Sequence, residues 1–75
     1  MKVLFFGVLS EVVLCNEMTL SNINSLASLK TQLEKKYPKL KKYHYIIAVN
    51  ETIVTAPFVL NDGDEVALLP PYSGG

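Results

Sequence analysis

Leu26, Leu29 and Leu33 fall at i, i+3 and i+7, and Tyr37 carries the same stripe one turn further. This is the sustained helical period of the chain, and it is amphipathic with one apolar side. A helix with a single stripe buries a single face, so it can cover one side of a sheet and leave the other side bare. The Ser21-Asn22-Ile23-Asn24-Ser25 cluster supplies helix-capping residues, with Ser25 or Asn24 as N-cap. Lys35 and Lys36 complement the dipole in the last turn, and Pro38 stops the helix.

The remaining segments read as strands and turns. Lys2 to Val8 is a strand with Lys2, Leu4 and Phe6 on one side and Val3, Phe5 and Gly7 on the other. The charge at Lys2 marks the Leu4/Phe6 side as the more open one. Ser10 to Leu14 forms a short helical turn, and Glu17 to Leu20 returns as a strand antiparallel to the first. Lys39 to Tyr43 is a basic, exposed connection. Tyr45 to Val49 is a strand of β-branched and aromatic residues, Asn50-Glu51 a turn, and Thr52 to Thr55 a short strand. In the turn Asn61-Asp62-Gly63-Asp64, Gly63 is expected to take a positive φ. Glu65 to Leu69 closes the domain, with Glu65, Ala67 and Leu69 opposite Val66 and Leu68 in parity.

The expected fold is therefore α+β: one sheet, with one main helix packed on one face. If Val3, Phe5, Val66 and Leu68 meet Leu26, Leu29 and Leu33, then Phe6 and Leu69 face outward. Exposed Phe and Leu on a bare sheet mark a docking surface. The domain spans residues 1–69, and an extended tail, Pro70-Pro71-Tyr72-Ser73-Gly74-Gly75, follows.

Composition narrows the function classes. A chain of 75 residues is one domain, and a domain of that size buries only about 60% of its unfolded surface. Half of the residues are apolar (49%), which argues for a folded core and against disorder. The seven basic residues are all Lys and balance seven acids, so nothing draws the whole chain to nucleic acid or to an anionic membrane. The bidentate phosphate and guanine contacts of Arg are absent. Cys15 stands alone, which excludes an internal disulfide and a Cys-based metal site and fits a reducing, cytoplasmic setting. Lys2 followed by Val3 to Leu9 resembles a short secretory leader, but Glu11 interrupts it and Leu14 is too large for the cleavage position. No apolar run approaches the roughly 18 residues of a membrane span. Asn50-Glu51-Thr52 matches a glycosylation triplet but reads as a turn.

The stretches "KVLFF", "AVNETIV" and "LNDGDEVALLPPYSGG" resemble the small, sulfur-carrying subunit of molybdopterin synthase, a ubiquitin-related sulfur-carrier family. The likeness runs over nearly the whole chain and is most specific where Asp62-Gly63-Asp64-Glu65-Val66 leads into Pro70-Pro71 and the closing Gly74-Gly75. It implies a ubiquitin-like β-grasp fold with a mixed sheet. It also implies a role as a cosubstrate without catalysis of its own. The Gly75 carboxylate would be adenylated by an activating enzyme that uses ATP and Mg²⁺, then converted to a thiocarboxylate by a sulfur donor system. The tail would dock into the large synthase subunit, where sulfur passes to a cyclic pterin phosphate and builds the dithiolene of the molybdenum cofactor. A heterotetramer of two small and two large subunits is implied, with no cofactor or metal held by this chain. Gly74 would let backbone thread a narrow channel, since it lacks Cβ. Pro70 and Pro71 would stiffen the segment that projects the tail, with Tyr72 and Ser73 passing through the partner. The family's docking surface falls on Phe6, Ile53 and Leu69, two of which the strand parity already turns outward.

The family often carries a basic residue between first strand and first turn, where Val8-Leu9-Ser10 has none. Cys15 is expected to be a small apolar filler, and His44, with no partner ligand or nucleophile, to be structural. The lysines at 35, 36, 39, 41 and 42 read as a solvated surface. Asp62, Asp64 and Glu65 lack the rest of a calcium loop. Rival readings are a carrier for thiamine or tRNA thiolation, a ubiquitin-like modifier joined to lysines through Gly75, and an inert interaction module.

Overall fold

The computed structural model of the chain describes residues 1–71. Five strands, β1 (Lys2–Phe5), β2 (Glu17–Thr19), β3 (Ile46–Val49), β4 (Thr52–Val54) and β5 (Glu65–Leu69), form one sheet. Their order is β2-β1-β5-β3-β4. The pair β1/β5 is parallel and the other neighbours are antiparallel, so the sheet is mixed. Helix α1 (Val8–Val13) follows β1, and helix α2 (Leu26–Lys36) crosses one face of the sheet.

The helix stripe does what its spacing dictates. Leu26, Leu29 and Leu33 are buried in one cluster with Val3, Phe5, Val66 and Leu68, and Ile47 and Val49 join from β3. Ser25 is the N-cap: its backbone is extended, and its hydroxyl accepts from the Ser28 amide at 3.1 Å. Tyr37 is the C-cap, donating its amide to Leu33 O at 2.8 Å.

The structure corrects three local expectations. Strand β1 ends at Phe5, and Val8 already belongs to α1, because Gly7 turns the chain with φ 58° and ψ −139°. That conformation is close to glycine-only, so the turn comes before the strand pattern runs out. Residues Pro38–Lys42 are a 3₁₀ turn with Pro38 in its first positions, and Leu40 within it is fully buried. The segment is thus anchored to the core by one apolar residue among exposed lysines. Gly63 does not take a positive φ; among the described glycines only Gly7 does. The turn at 61–64 is closed instead by Asp64, whose carboxylate accepts from the Asn61 amide at 2.8 Å and from Asn50 Nδ2 at 3.0 Å. The Asn50-Glu51 stretch is a turn, as its sequence reads. Asn50 Oδ1 accepts from the Glu65 amide at 3.1 Å, so its side chain ties the β3–β4 turn to the start of β5.

Candidate functional site

Strand registers decide which side chains share the bare face. Leu4 pairs with Ala67, Ala67 with Ala48, and Ala48 with Ile53. Leu69 pairs with Ile46 in the next row, and the ladder carries on past β1, where the Phe6 amide donates to Leu68 O at 3.1 Å. Side chains alternate along strands, so Leu4, Phe6, Ile46, Ala48, Ile53, Ala67 and Leu69 lie on the side away from α2. Ala48 and Ala67 make a low floor. Phe6 (44% exposed) and Ile53 (64% exposed) rise at its margins, with Leu69 half-buried between them. Ala48 is itself buried, yet it stands outside the core cluster, as expected for a small residue flanked by larger ones on an open face.

The face has a polar boundary at one end. Lys2 and Glu17 form an ion pair at 3.8 Å, both half-exposed, and Lys2 sits opposite Glu65 on β5. The apolar residues therefore gather toward the other end, where β1 runs into α1 and β5 runs into Pro70. Such a surface excludes water well when another protein covers it and offers no group for chemistry of its own.

Ile53 is the residue whose facing strand parity left open. Its side is fixed by the Asn50-Glu51 turn. Both residues have positive φ, 51° and 69°, the signature of a two-residue hairpin turn whose twist suits the flanking strands. With Val49 opposite Thr52, Ala48 must face Ile53. The two-residue spacing was the signal that could have settled this from sequence. Parity had already put Leu4 with Phe6 and Ala67 with Leu69; Ile46 and Ala48, on β3, were not read as members of the face.

The exit of β5 is also defined. A Cβ placed on Gly7 would lie 2.9 Å from Pro70 Cγ, tighter than real Cβ contacts. Gly7 therefore lets the Pro70 ring press against the start of α1, and the C-terminal segment leaves the domain beside that helix. Pro71 is exposed. Tyr72, Ser73, Gly74 and Gly75, to which the sequence assigns threading and chemistry, lie outside the described residues.

Other candidates fall into place without forming a reactive centre. Cys15 is partly buried against the core cluster. His44 is exposed, and Asp64 is occupied in its turn, where the Asn61 amide first and the Asn50 amide second hold its carboxyl below the usual range. A groove of about 430 Å³ between α2 and the β3–β4 hairpin is lined by Leu26, Tyr45, Ile47 and Val54, among others. Tyr45 donates its hydroxyl to Glu34 Oε2 at 2.6 Å, and Lys30 Nζ lies 5.5 Å from its ring centre. Burial first, and the Glu34 carboxylate second, push the Tyr45 phenol above its ordinary range. No helix among the described residues is long and apolar enough to cross a membrane.

Comparison with known proteins agrees with this architecture. The ThiS family model matches residues 3–75. The molybdopterin synthase sulfur carrier subunit of Mycobacterium tuberculosis is 37% identical, covering 99% of this chain and 95% of the relative. Among solved structures, a chain in a protein–protein complex of subunits 1 and 2 of molybdopterin-converting factor from Helicobacter pylori superposes with a TM-score of 0.74. It is 30% identical and covers 99% of this chain and 96% of that one. Small archaeal modifier protein 1 from Methanosarcina acetivorans gives a TM-score of 0.78 at 30% identity, over 99% and 94% of the two chains. The mixed five-stranded sheet with one main helix on one face is the ubiquitin-like β-grasp fold. With its model matched from residue 3 to residue 75, the chain belongs to the ThiS family.

Proposed function

We propose that the chain is the sulfur carrier subunit of a molybdopterin synthase. The observation that carries this reading is the match, over 99% of the chain, to a relative of that name, on a fold whose bare apolar face lies beside the exit of β5. A carrier needs those two parts together: a surface by which a partner holds the domain, and a tail that the same partner can draw in.

In this reading the Gly75 carboxylate attacks the α-phosphorus of ATP on an activating enzyme, and pyrophosphate leaves. Hydrosulfide delivered by the donor system then attacks the acyl carbon, and AMP departs, leaving a thiocarboxylate. Adenylation is needed because a free carboxylate lacks a leaving group, while the thiocarboxylate sulfur is a soft nucleophile suited to the next transfer. ATP and Mg²⁺ act on the activating enzyme, and this chain holds neither. The large subunit covers Phe6, Ile53 and Leu69 and receives Pro70, Pro71, Tyr72, Ser73, Gly74 and Gly75, with sulfur passing to a cyclic pterin phosphate. The pair works in the cytoplasm, as a heterotetramer with two small subunits. The chain supplies sulfur and position, and the catalytic groups are the partners'.

The likeness to a small archaeal modifier motivates a second reading, in which activated Gly75 is joined to lysines of other proteins. One experiment separates the two. Thiocarboxylated chain is mixed with the large subunit and a cyclic pterin phosphate, with and without deletion of Gly75. The carrier reading expects dithiolene product from the full chain and none from the deletion. Product from the deleted chain, or lysine conjugates in place of product, contradicts it.

A further inference from the structure

We propose that the outer edge of β4 pairs with the same edge of a second copy of this chain, antiparallel and centred on Ile53, so that two sheets join into one. The pairing is independent of the sulfur-carrier reading, since the partner is the chain itself.

Hydrogen-bond directions across the sheet decide which main-chain groups reach that edge. The Asn50 amide donates to Glu65 O at 2.8 Å, toward β5. Directions alternate along an antiparallel strand, so Ala48 also turns its main chain to β5, while Ile47 and Val49 turn theirs to β4. Their partners in β4 are Val54 and Thr52. Ile53, between those two, therefore turns its N–H and C=O away from β3. On that side β4 has no neighbour, because it ends the order β2-β1-β5-β3-β4.

The two edges of the sheet are guarded differently. The β2 edge carries Glu17, which holds Lys2 at 3.8 Å. Thr52, Ile53 and Val54 of β4 include neither a charge nor a proline, the residues by which edges resist pairing. All three are β-branched, and Thr52 and Ile53 are exposed. Such side chains suit a cross-strand neighbour better than they suit water.

Self-complementarity identifies the occupant. With Ile53 on a two-fold axis, each copy's Ile53 amide donates to the carbonyl of the other's. Thr52 of one copy then faces Val54 of the second, and Glu51 faces Thr55, so no like charges meet. Thr55 and Ala56 help line the groove of about 430 Å³ beside α2, and Lys30 is the one charged residue in that lining. The register thus brings Glu51 of the second copy to the mouth of a groove that holds a cation. Glu51 and Lys30 are both exposed, and neither has an ion-pair partner among the described residues, where Lys2–Glu17 is the one pair found. Glu34, one turn along α2 from Lys30, accepts from the Tyr45 hydroxyl instead. The two-fold repeats the Glu51–Lys30 contact, so one register satisfies the free main chain, the apolar side chains and both charges.

The test uses the full chain, followed by sedimentation and by amide exchange in NMR. A three-residue edge buries little area, so the dimer is expected to be weak, forming at roughly 0.1–1 mM. As it forms, exchange at the Ile53 amide should slow, while the Thr52 and Val54 amides, already bonded to β3, stay protected at every concentration. Ile53→Lys sets two cations opposite each other on an exposed position and should weaken the dimer by about tenfold or more. Lys30→Gln should weaken it by about threefold at low salt and have little effect at high salt. A chain that stays monomeric up to about 2 mM overturns the proposal, since even small specific interfaces assemble there. So does a dimer whose Ile53 amide exchanges as in the monomer, a dimer that Ile53→Lys leaves intact, or one that Lys30→Gln leaves equally tight at low salt.

Discussion

Replacing Ile53 by Ala tests the bare sheet face where the structure allows a magnitude to be worked. Ile53 sits on the edge strand β4, opposite Ala48, with 64% of its surface exposed. Complete burial of an Ile side chain is worth about 1.5–3 kcal/mol. Scaled to the exposed share, docking would gain about 1–2 kcal/mol from this side chain, and losing it should weaken binding roughly five- to thirtyfold. The fold itself loses only the third already buried, about 0.5–1 kcal/mol, so the variant should remain folded. Val59 provides the control. It is 71% exposed but sits on the α2 side, in a bridge with Ser25. Titration calorimetry against the large subunit should show a raised Kd for Ile53→Ala and an unchanged one for Val59→Ala. Equal affinities for both variants and the unsubstituted chain would refute the assignment of the face.

Two further outcomes follow from the fold. Ser25→Ala removes the hydroxyl that accepts from the Ser28 amide and should cost about 1 kcal/mol, seen as a melting temperature lower by about 4–8 °C; an unchanged melt would mean the cap contributes nothing. Asp64 has its folded pKa lowered from 3.8, mainly by the Asn61 amide and then by Asn50. A lowered carboxyl pKa stabilises the folded state above the unfolded value, and that contribution is lost as pH falls through the folded one. Acid titration followed by NMR should therefore show the Asp64 carboxyl protonating below the ordinary Asp range, and Asn50→Ala should move it upward. A midpoint at or above the ordinary value would contradict the turn geometry.

The parts of the fold that were legible in the sequence are those set by local periodicity. Leu26, Leu29 and Leu33 could face only one way on a helix, and alternation read over Lys2 to Val8 and Glu65 to Leu69 placed Phe6 and Leu69 outside. Ser25 was readable as a cap because its hydroxyl has a fixed use at a helix start. What escaped depends on contacts distant in sequence. Leu40 is buried by packing across the 3₁₀ turn, which its lysine neighbours hid. The positive φ fell on Gly7 and not on Gly63, because Pro70, far along the chain, demands the close approach, while Asp64 closes the other turn with its carboxylate. The sheet face was half-legible: Phe6 and Leu69 by parity, Ile53 only once the hairpin register was known.

The central claim is that Gly75 carries sulfur, and intact mass spectrometry tests it most directly. The chain is incubated with its activating enzyme, ATP and Mg²⁺, and a sulfur donor, then weighed whole and after digestion. The account predicts exchange of one oxygen for one sulfur, dependent on ATP and localised to Gly75. An unchanged mass with an active cognate enzyme, or sulfur found on Cys15 in place of Gly75, would contradict it.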